Sequence, residues 1–239
     1  MSSRRNWLLN VLEPAVRARF EPHMRHIRLS RGQVLQRAGE EVLKVYFPEG
    51  VLISVISTLA TGEMVQTGMI GWDGALGGFE ACGTRHSAFQ ADVLVAGEAW
   101  VMTAEDYRGM YDASPALRTA VHKYVEILLT EARQFVACNA LHTVEARLCR
   151  SILEALERSC DGQTLPTTQE SLAQMLGVQR TTVTAVVSGL QAGGALRTAR
   201  GQVEVLQPGE LEDCACVCRQ ALQAARAEIY AADDFSCDR

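Results

Sequence analysis

Thr181, Ala185 and Ser188 recur at helical spacing opposite Val183, Val186, Val187 and Leu190. A helix built this way buries its valines and turns only small side chains outward. A solvated surface helix more often carries Lys and Glu there, whereas small residues let a helix approach the floor of a DNA groove. Threonine and alanine can also meet a thymine methyl. From Ser171 to Val203 there are three arginines, Arg180, Arg197 and Arg200, and no acidic residue. Arg197 and Arg200 flank a candidate hairpin turn at Arg200-Gly201, from which both can reach phosphates.

Other chemistry-bearing residues point elsewhere. In Cys214-Ala-Cys-Val-Cys218, a helical reading puts Cys214 and Cys218 on one face and Cys216 on the other. Three-fold soft-metal ligation would then require unwinding, so the cysteines read as small buried residues and no metal site is expected. His122 and His142 read as packed or solvated histidines. Trp72-Asp73, in a glycine-rich corner, reads as a turn filler. Glu80 has no acid/base partner, and no Ser–His–Asp set or phosphate loop occurs, so no enzyme is expected. The eight cysteines (Cys82, Cys138, Cys149, Cys160, Cys214, Cys216, Cys218 and Cys237) form no C-x-x-C pair. They fit thiols in a reducing cytosol better than a disulfide framework.

The outward face described first needs a particular scaffold. Thr167 with Glu170 three residues on forms a capping box and starts a short helix, with Leu172, Ala173 and Leu176 facing inward. Gly177 ends it, Val178 plugs the core, and a second helix begins at Gln179–Arg180 and stops at Gly193-Gly194. This is a helix-turn-helix. Residues Leu196–Leu206 then supply two short strands, the wing. Upstream, a helix starts near Thr143, sets Val144, Leu148, Ile152 and Leu156 on one face, and ends at Asp161-Gly162. Downstream of Pro208-Gly209, a last helix is expected from Cys214, followed by a disordered tail over 231–239.

The first half has another texture. A helical lead-in over Trp7–His23 carries Leu8, Leu9, Leu12, Val16 and Phe20. Short strand-like runs then follow between Ile27 and Met102, broken repeatedly by glycine, with Thr61-Gly62 reading as a hairpin turn. This pattern predicts a compact antiparallel barrel or sandwich. After Ser114-Pro115 the apolar positions Leu117, Val121, Tyr124, Leu128 and Phe135 run at helical spacing for about six turns. The expected partner of that stripe is a second copy of the same helix; the alternative is the chain's own barrel.

Composition sets limits. At 239 residues, 48% hydrophobic and 21% charged, the chain is an ordinary globular protein of about two domains. No uncharged stretch is long enough to span a bilayer. Residues Met1–Asn10 lack a sustained apolar core and a cleavage site, so an amphipathic helix and a cytoplasmic location are expected. The net charge of −5 argues against nucleic acid as a whole-chain property, but the arginine-bearing, acid-free window outweighs it locally.

With these residues in view, the chain resembles the Crp/Fnr family of bacterial transcription regulators along nearly its whole length. The resemblance rests on Thr168-Gln-Glu-Ser-Leu-Ala-Gln-Met-Leu-Gly-Val-Gln-Arg-Thr-Thr-Val183 followed by the Gly-containing wing, and on Arg31-Gly-Gln-Val-Leu-Gln-Arg-Ala-Gly-Glu40. It implies an α+β fold with an N-terminal antiparallel, jelly-roll-like β-barrel of cyclic-nucleotide-binding type over 1–112. A dimerisation helix over 113–140 and a winged helix-turn-helix domain over 141–230 would follow.

By position, Arg180 corresponds to the family's base-reading arginine. Gln179 and Thr182 correspond to residues near phosphates, Thr168 to a backbone contact, and Gln169 and Thr184 complete the implied DNA-binding set. Thr181 and Ala185 stand where members often have a base-reading glutamate and a second arginine, which implies different half-sites. The effector cassette corresponds to Gly78, Glu80, Arg85 and Ser87. Phe79 and His86 interrupt it, so no cyclic nucleotide is expected. No cysteine precedes Cys82, so no iron–sulfur cluster of the family's type is expected. The resemblance implies a homodimer on a pseudo-palindromic double-stranded DNA operator, meeting RNA polymerase if it activates, with no membrane partner. The competing reading is a small-ligand-binding module whose winged domain serves protein contacts.

Overall fold

The computed structural model describes residues 6–159 and 162–230. Cys160, Asp161, Cys237 and the expected tail over 231–239 lie outside the described residues. The chain begins with α1 (Trp7–Asn10) and α2 (Pro14–Phe20) rather than one continuous helix. Pro14 takes the first position of α2, where its missing N–H costs nothing, and cannot continue a preceding helix. Asn6 caps α1 and donates its amide to the carbonyls of Pro48 and Gly74, which pins the segment to the barrel.

Seven strands follow: β1 (Arg25–Leu29), β2 (Val34–Gln36), β3 (Lys44–Pro48), β4 (Leu52–Thr58), β5 (Met64–Ile70), β6 (Gln90–Val95) and β7 (Gly97–Thr103). A short helix α3 (Gly78–Cys82) lies between β5 and β6. They form two antiparallel sheets in the orders β1-β7-β3 and β2-β6-β4-β5. Leu29, Tyr46, Ala99 and Val101 of the first sheet interdigitate with Ile53, Ile70, Ala91 and Val93 of the second. This is a jelly-roll-like sandwich. The expected hairpin at Thr61-Gly62 closes β4 onto β5.

Beyond β7 come α4 (Ala104–Ala113) and the 27-residue α5 (Pro115–Leu141), capped by the Ser114 hydroxyl accepting from Leu117 N–H. Here one expectation is corrected. Leu117, Val121 and Tyr124 do not face a second copy; they are buried in the chain's own core with Trp72, Phe47 and Ala75, and Leu128 and Phe135 are half-buried. The exposed apolar stripe of α5 is instead Val125 (37% exposed), Leu129 (48%) and Val136 (72%). The helix is apolar on two sides, and periodicity alone does not say which side meets the barrel.

The C-terminal domain is built on α6 (Val144–Ser159), which is buried on nearly every side. Around it lie β8 (Thr164–Leu165), α7 (Gln169–Leu176), α8 (Arg180–Ala192), β9 (Leu196–Ala199), β10 (Gln202–Val205), α9 (Pro208–Cys214) and α10 (Cys218–Ile229). One apolar cluster holds Leu148, Ile152, Leu172, Val183, Val187 and Leu190 together with Leu52, Met69 and Val95 of the barrel, so the two domains share a core. No helix among the described residues is long and apolar enough to cross a membrane.

Burying α6 also buries its charges. Arg158 is 3% exposed; it pairs with Asp73 at 3.2 Å and with Glu131, and donates to the Met69 carbonyl. Arg226 of α10 donates to the same Glu131 from Nε at 2.8 Å, and Tyr230 Oη donates to the Asp73 carbonyl. Trp72-Asp73 does fill a turn, closed by the Gly74 N–H on the Gly71 carbonyl, and the same turn is where the barrel grips α6 and α10. Gly71 and Gly74 make this approach feasible, since a Cβ on Gly71 would lie 2.8 Å from the Arg158 carbonyl and one on Gly74 would enter the Tyr124 ring. Two arginines facing two carboxylates leave the quartet neutral. Removing one member strands a buried charge, so Glu131→Ala is expected to cost about 3–5 kcal/mol in urea unfolding. A loss below about 1 kcal/mol, the range of exposed pairs, would contradict this burial.

Candidate nucleic-acid interface

Thr168, rather than Thr167, caps α7: its Oγ1 accepts from Ser171 N–H at 3.1 Å and lies 2.9 Å from the Ser171 hydroxyl. Thr167 is swallowed into the core behind β8, which slides the cap by one residue. Gly177 closes α7 at φ +63° with its N–H on the Ala173 and Gln174 carbonyls. The left-handed geometry makes glycine the natural residue there. The chain turns at this point into α8, whose N-cap Gln179 makes no side-chain cap bond.

On α8, Val183, Val187 and Leu190 are buried and Val186 is half-buried, while Arg180, Thr181, Thr182, Thr184, Ala185 and Ser188 are exposed. Thr184 Oγ1 lies 2.8 Å from Gln169 Oε1 and 3.0 Å from the Arg180 carbonyl; Ser188 Oγ donates to the Thr184 carbonyl. These hydroxyls are engaged within the helix-turn-helix itself, so the outer surface is slim and partly methyl in character. The Arg180 side chain makes no ion pair among the described residues. Its first helical turn opens on a cleft whose opposite wall is the β4–β5 tip, with Leu59, Glu63 and Met64.

The wing is β9 and β10, antiparallel about Arg200-Gly201, with β8 as a third strand. Arg200 is exposed and free of ion pairs among the described residues. Arg197 differs: Glu204 across the hairpin holds its guanidinium, Nε to Oε2 at 3.0 Å. Any phosphate must compete with that carboxylate for Arg197. The Gly201 carbonyl accepts from Arg31 of the barrel at 3.3 Å, so the wing also touches the first domain.

The four cassette residues do not converge. Gly78 is packed under Tyr107 and Arg85 is exposed at φ +63°. Ser87 is consumed by the Gln36 amide and the Phe89 carbonyl. Only Glu80 lines the cavity of about 190 Å³ between the β4–β5 sheet, α3 and α5, with Ile70, Phe79, Phe89, Leu128 and Glu131. Among the described residues lining it there are two carboxylates and no cation, so nothing there would compensate a phosphate. Neither Glu80 carboxyl oxygen finds a hydrogen-bond partner. Burial pushes its pKa up to about 7, only partly offset by its own backbone N–H.

Sequence reasoning missed a second gathering. Cys216 and Cys218 are buried beside Cys138 and His142 of α5, their ligand atoms all within 4.8 Å of one another. The expected single helix from Cys214 is broken at Ala215, which is extended, so Cys216 and Cys218 both turn inward and exposed Cys214 stays apart. The readable signal was Cys138 in the last turns of α5 with His142 four residues on, at the end of that helix.

The architecture is a jelly-roll barrel, a long connecting helix and a winged helix-turn-helix with an exposed, acid-free outer face. Residues 146–214 match the Crp-like helix-turn-helix domain. The fold is similar to that of the c-di-GMP responsive global regulator CLP of Xanthomonas campestris (18% identity, TM-score 0.65, covering 81% of this chain and 99% of that one). It is also similar to a putative Crp/Fnr-family regulator of Eubacterium rectale (16%, 0.69, 88% and 99%). A CRP-family regulator of Thermus thermophilus is 21% identical (0.68, 79% and 96%). No curated protein matches the sequence. The chain thus shares the fold of these regulators and carries a Crp-like helix-turn-helix domain over residues 146–214.

Glu80 sets a pH dependence. Its folded pKa lies above the 4.5 of the free group, so its contribution to stability is full below pH about 4.5 and is lost as pH rises towards 7. Thermal unfolding of wild type and Glu80→Gln across that window should show the wild type losing ground with rising pH. Parallel profiles would refute the shift.

Proposed function

We propose that the protein is a non-enzymatic, cytoplasmic regulator that binds double-stranded DNA as a homodimer on a pseudo-palindromic operator. The outward face of α8 carries this reading: an exposed, acid-free row of Arg180, Thr181, Thr184, Ala185 and Ser188 above a buried valine ridge. A helix this slim fits the major groove, with Arg180 placed to pair with a guanine edge. Gln179, Thr182 and the α7 cap residues Thr168 and Gln169 flank it on the phosphate side, and Arg200 and Arg197 extend the positive strip along the wing.

The dimer surface is the exposed stripe of α5, Val125, Leu129, Ala132 and Val136, with half-buried Leu128 and Phe135 beside it. Spacings of four, three and four residues make a continuous helical seam, which a second copy would cover. Two copies would present α8 helices about one DNA turn, roughly 34 Å, apart. The apolar cavity against α5 suits an uncharged effector rather than a nucleotide, since Glu131 is already paired with Arg158 and Arg226. The barrel wall opposite Arg180 gives it a route to control the first turn of α8. RNA polymerase is the further partner if the protein activates.

Selection of bound sequences from random DNA should return two-fold symmetric sites. On such a site Arg180→Ala is expected to weaken binding by about 1–3 kcal/mol and relax one base position, while Arg200→Ala lowers the salt slope by about 1. No binding to any fragment at low salt would overturn the DNA reading and favour a protein-contact role for the wing. Leu129→Asp should shift the protein to a monomer in sedimentation and abolish the symmetric footprint; an unchanged dimer would remove α5 from the interface.

A further inference from the structure

The sulfur-rich gathering at the end of α5 goes beyond this reading and does not depend on it. Cys138 sits in the last turns of α5 and His142 is its C-cap, the His142 N–H donating to the Cys138 carbonyl. Cys216 and Cys218 come from the break between α9 and α10, where Val217 points out, 68% exposed, and both thiols point in. Cys138 Sγ and Cys216 Sγ are 3.5 Å apart, and Cys218 Sγ is 3.4 Å from His142 Nδ1. A disulfide would need about 2.05 Å. A tetrahedral ion with bonds of about 2.3 Å to sulfur and 2.0–2.1 Å to nitrogen spaces its ligands by about 3.5–3.8 Å. The two short separations lie close to the edges of such a coordination shell, and all four ligand atoms fall within 4.8 Å of one another.

Three further observations distinguish this from ordinary packing of small residues. The three cysteines form a cluster of their own with Ala146 as their apolar neighbour, apart from the larger hydrophobic cores. Gln134 Nε2 donates to Cys218 Sγ at 3.1 Å, a contact that orients a sulfur as an acceptor. Arg147 is buried, donates to the Leu176 carbonyl, and has no carboxylate partner among the described residues; Arg150 lies close by, over the Phe135 ring. Both arginines are within electrostatic reach of Cys138 and Cys216. A divalent ion held by three thiolates and a neutral imidazole carries one net negative charge, which would balance Arg147.

We propose that Cys138, His142, Cys216 and Cys218 bind one thiophilic divalent cation of the zinc type. Binding transfers the thiol protons to solvent and involves no redox change. The ion would join the end of α5 to the start of α10 across the α5–α6 junction, the joint through which the DNA-binding domain hangs from the long helix. Occupancy would therefore stiffen that joint.

The test uses the full-length chain, reduced, stripped with a chelator and titrated with Co²⁺ and then Zn²⁺. The expected result is one equivalent of Co²⁺ per chain, with thiolate-to-cobalt charge-transfer absorption and d–d bands of tetrahedral intensity, bleached by Zn²⁺. Cys138→Ser and Cys216→Ser should lose these bands, whereas Cys214→Ser and Cys82→Ser should keep them. His142→Ala, at a half-exposed position, guards against misfolding: with unchanged circular dichroism, its d–d bands should shift and its zinc affinity fall at least tenfold. Zinc should also raise the Tm of the wild type and protect Cys138 and Cys216 from alkylation. Folded, reduced protein without a cobalt–thiolate band would overturn the proposal. So would bands that survive the Cys138→Ser/Cys216→Ser double substitution, or equal alkylation with and without zinc.

Discussion

Arg158 at the end of α6, placed between Asp73 of the barrel and Glu131 of α5, is the interaction around which the molecule is organised. Its guanidinium is fully removed from water, so it demands two carboxylates and a carbonyl in fixed positions, and these come from three separate elements. Arg226 of α10 shares Glu131 and completes the charge balance. Barrel, long helix and DNA-binding domain are thereby registered against one another to within hydrogen-bond tolerance. A purely apolar seam of the same area would hold the domains together with less definition of their relative pose.

That registration places three features along one line. The cavity with Glu80 shares Glu131 and Leu128 with α5. The ion quartet lies in the middle of α5, and the Cys/His cluster lies at its C-terminal end. All three therefore share one continuous helix. The first turn of α8, facing the β4–β5 tip across an open cleft, is the far end of the same chain of contacts. Packing and buried charge thus connect the barrel with the helix-turn-helix among the described residues.

The recognition elements were legible residue by residue. Gly177, Gly193-Gly194 and Arg200-Gly201 mark turns whose geometry is local, and the valine spacing of α8 fixes its inward side without reference to any other element. The same holds for the Ser114-Pro115 start of α5 and the alternating texture of the barrel. Misreadings arose where a choice was between two plausible partners. Thr167 and Thr168 are equally good caps in sequence, and burial behind β8 decided between them. Leu117, Val121 and Tyr124 suit a barrel as well as a second helix. Trp72-Asp73 is the turn it reads as, but its second role stayed hidden because its partner, Arg158, lies far along the chain.

Local chemistry in the sequence, then, determined the element order, the helix-turn-helix, its wing and the outward face of α8, since helix caps, glycine turns and hydrophobic periods act over a few residues. Only the tertiary structure decided which face of α5 is covered, that the effector-type cassette does not converge and sends only Glu80 to the cavity, and that Cys138 and His142 meet Cys216 and Cys218. Those outcomes depend on contacts between residues far apart in the chain, such as Cys138–Cys216 at 78 positions and His142–Cys218 at 76, which no local period encodes.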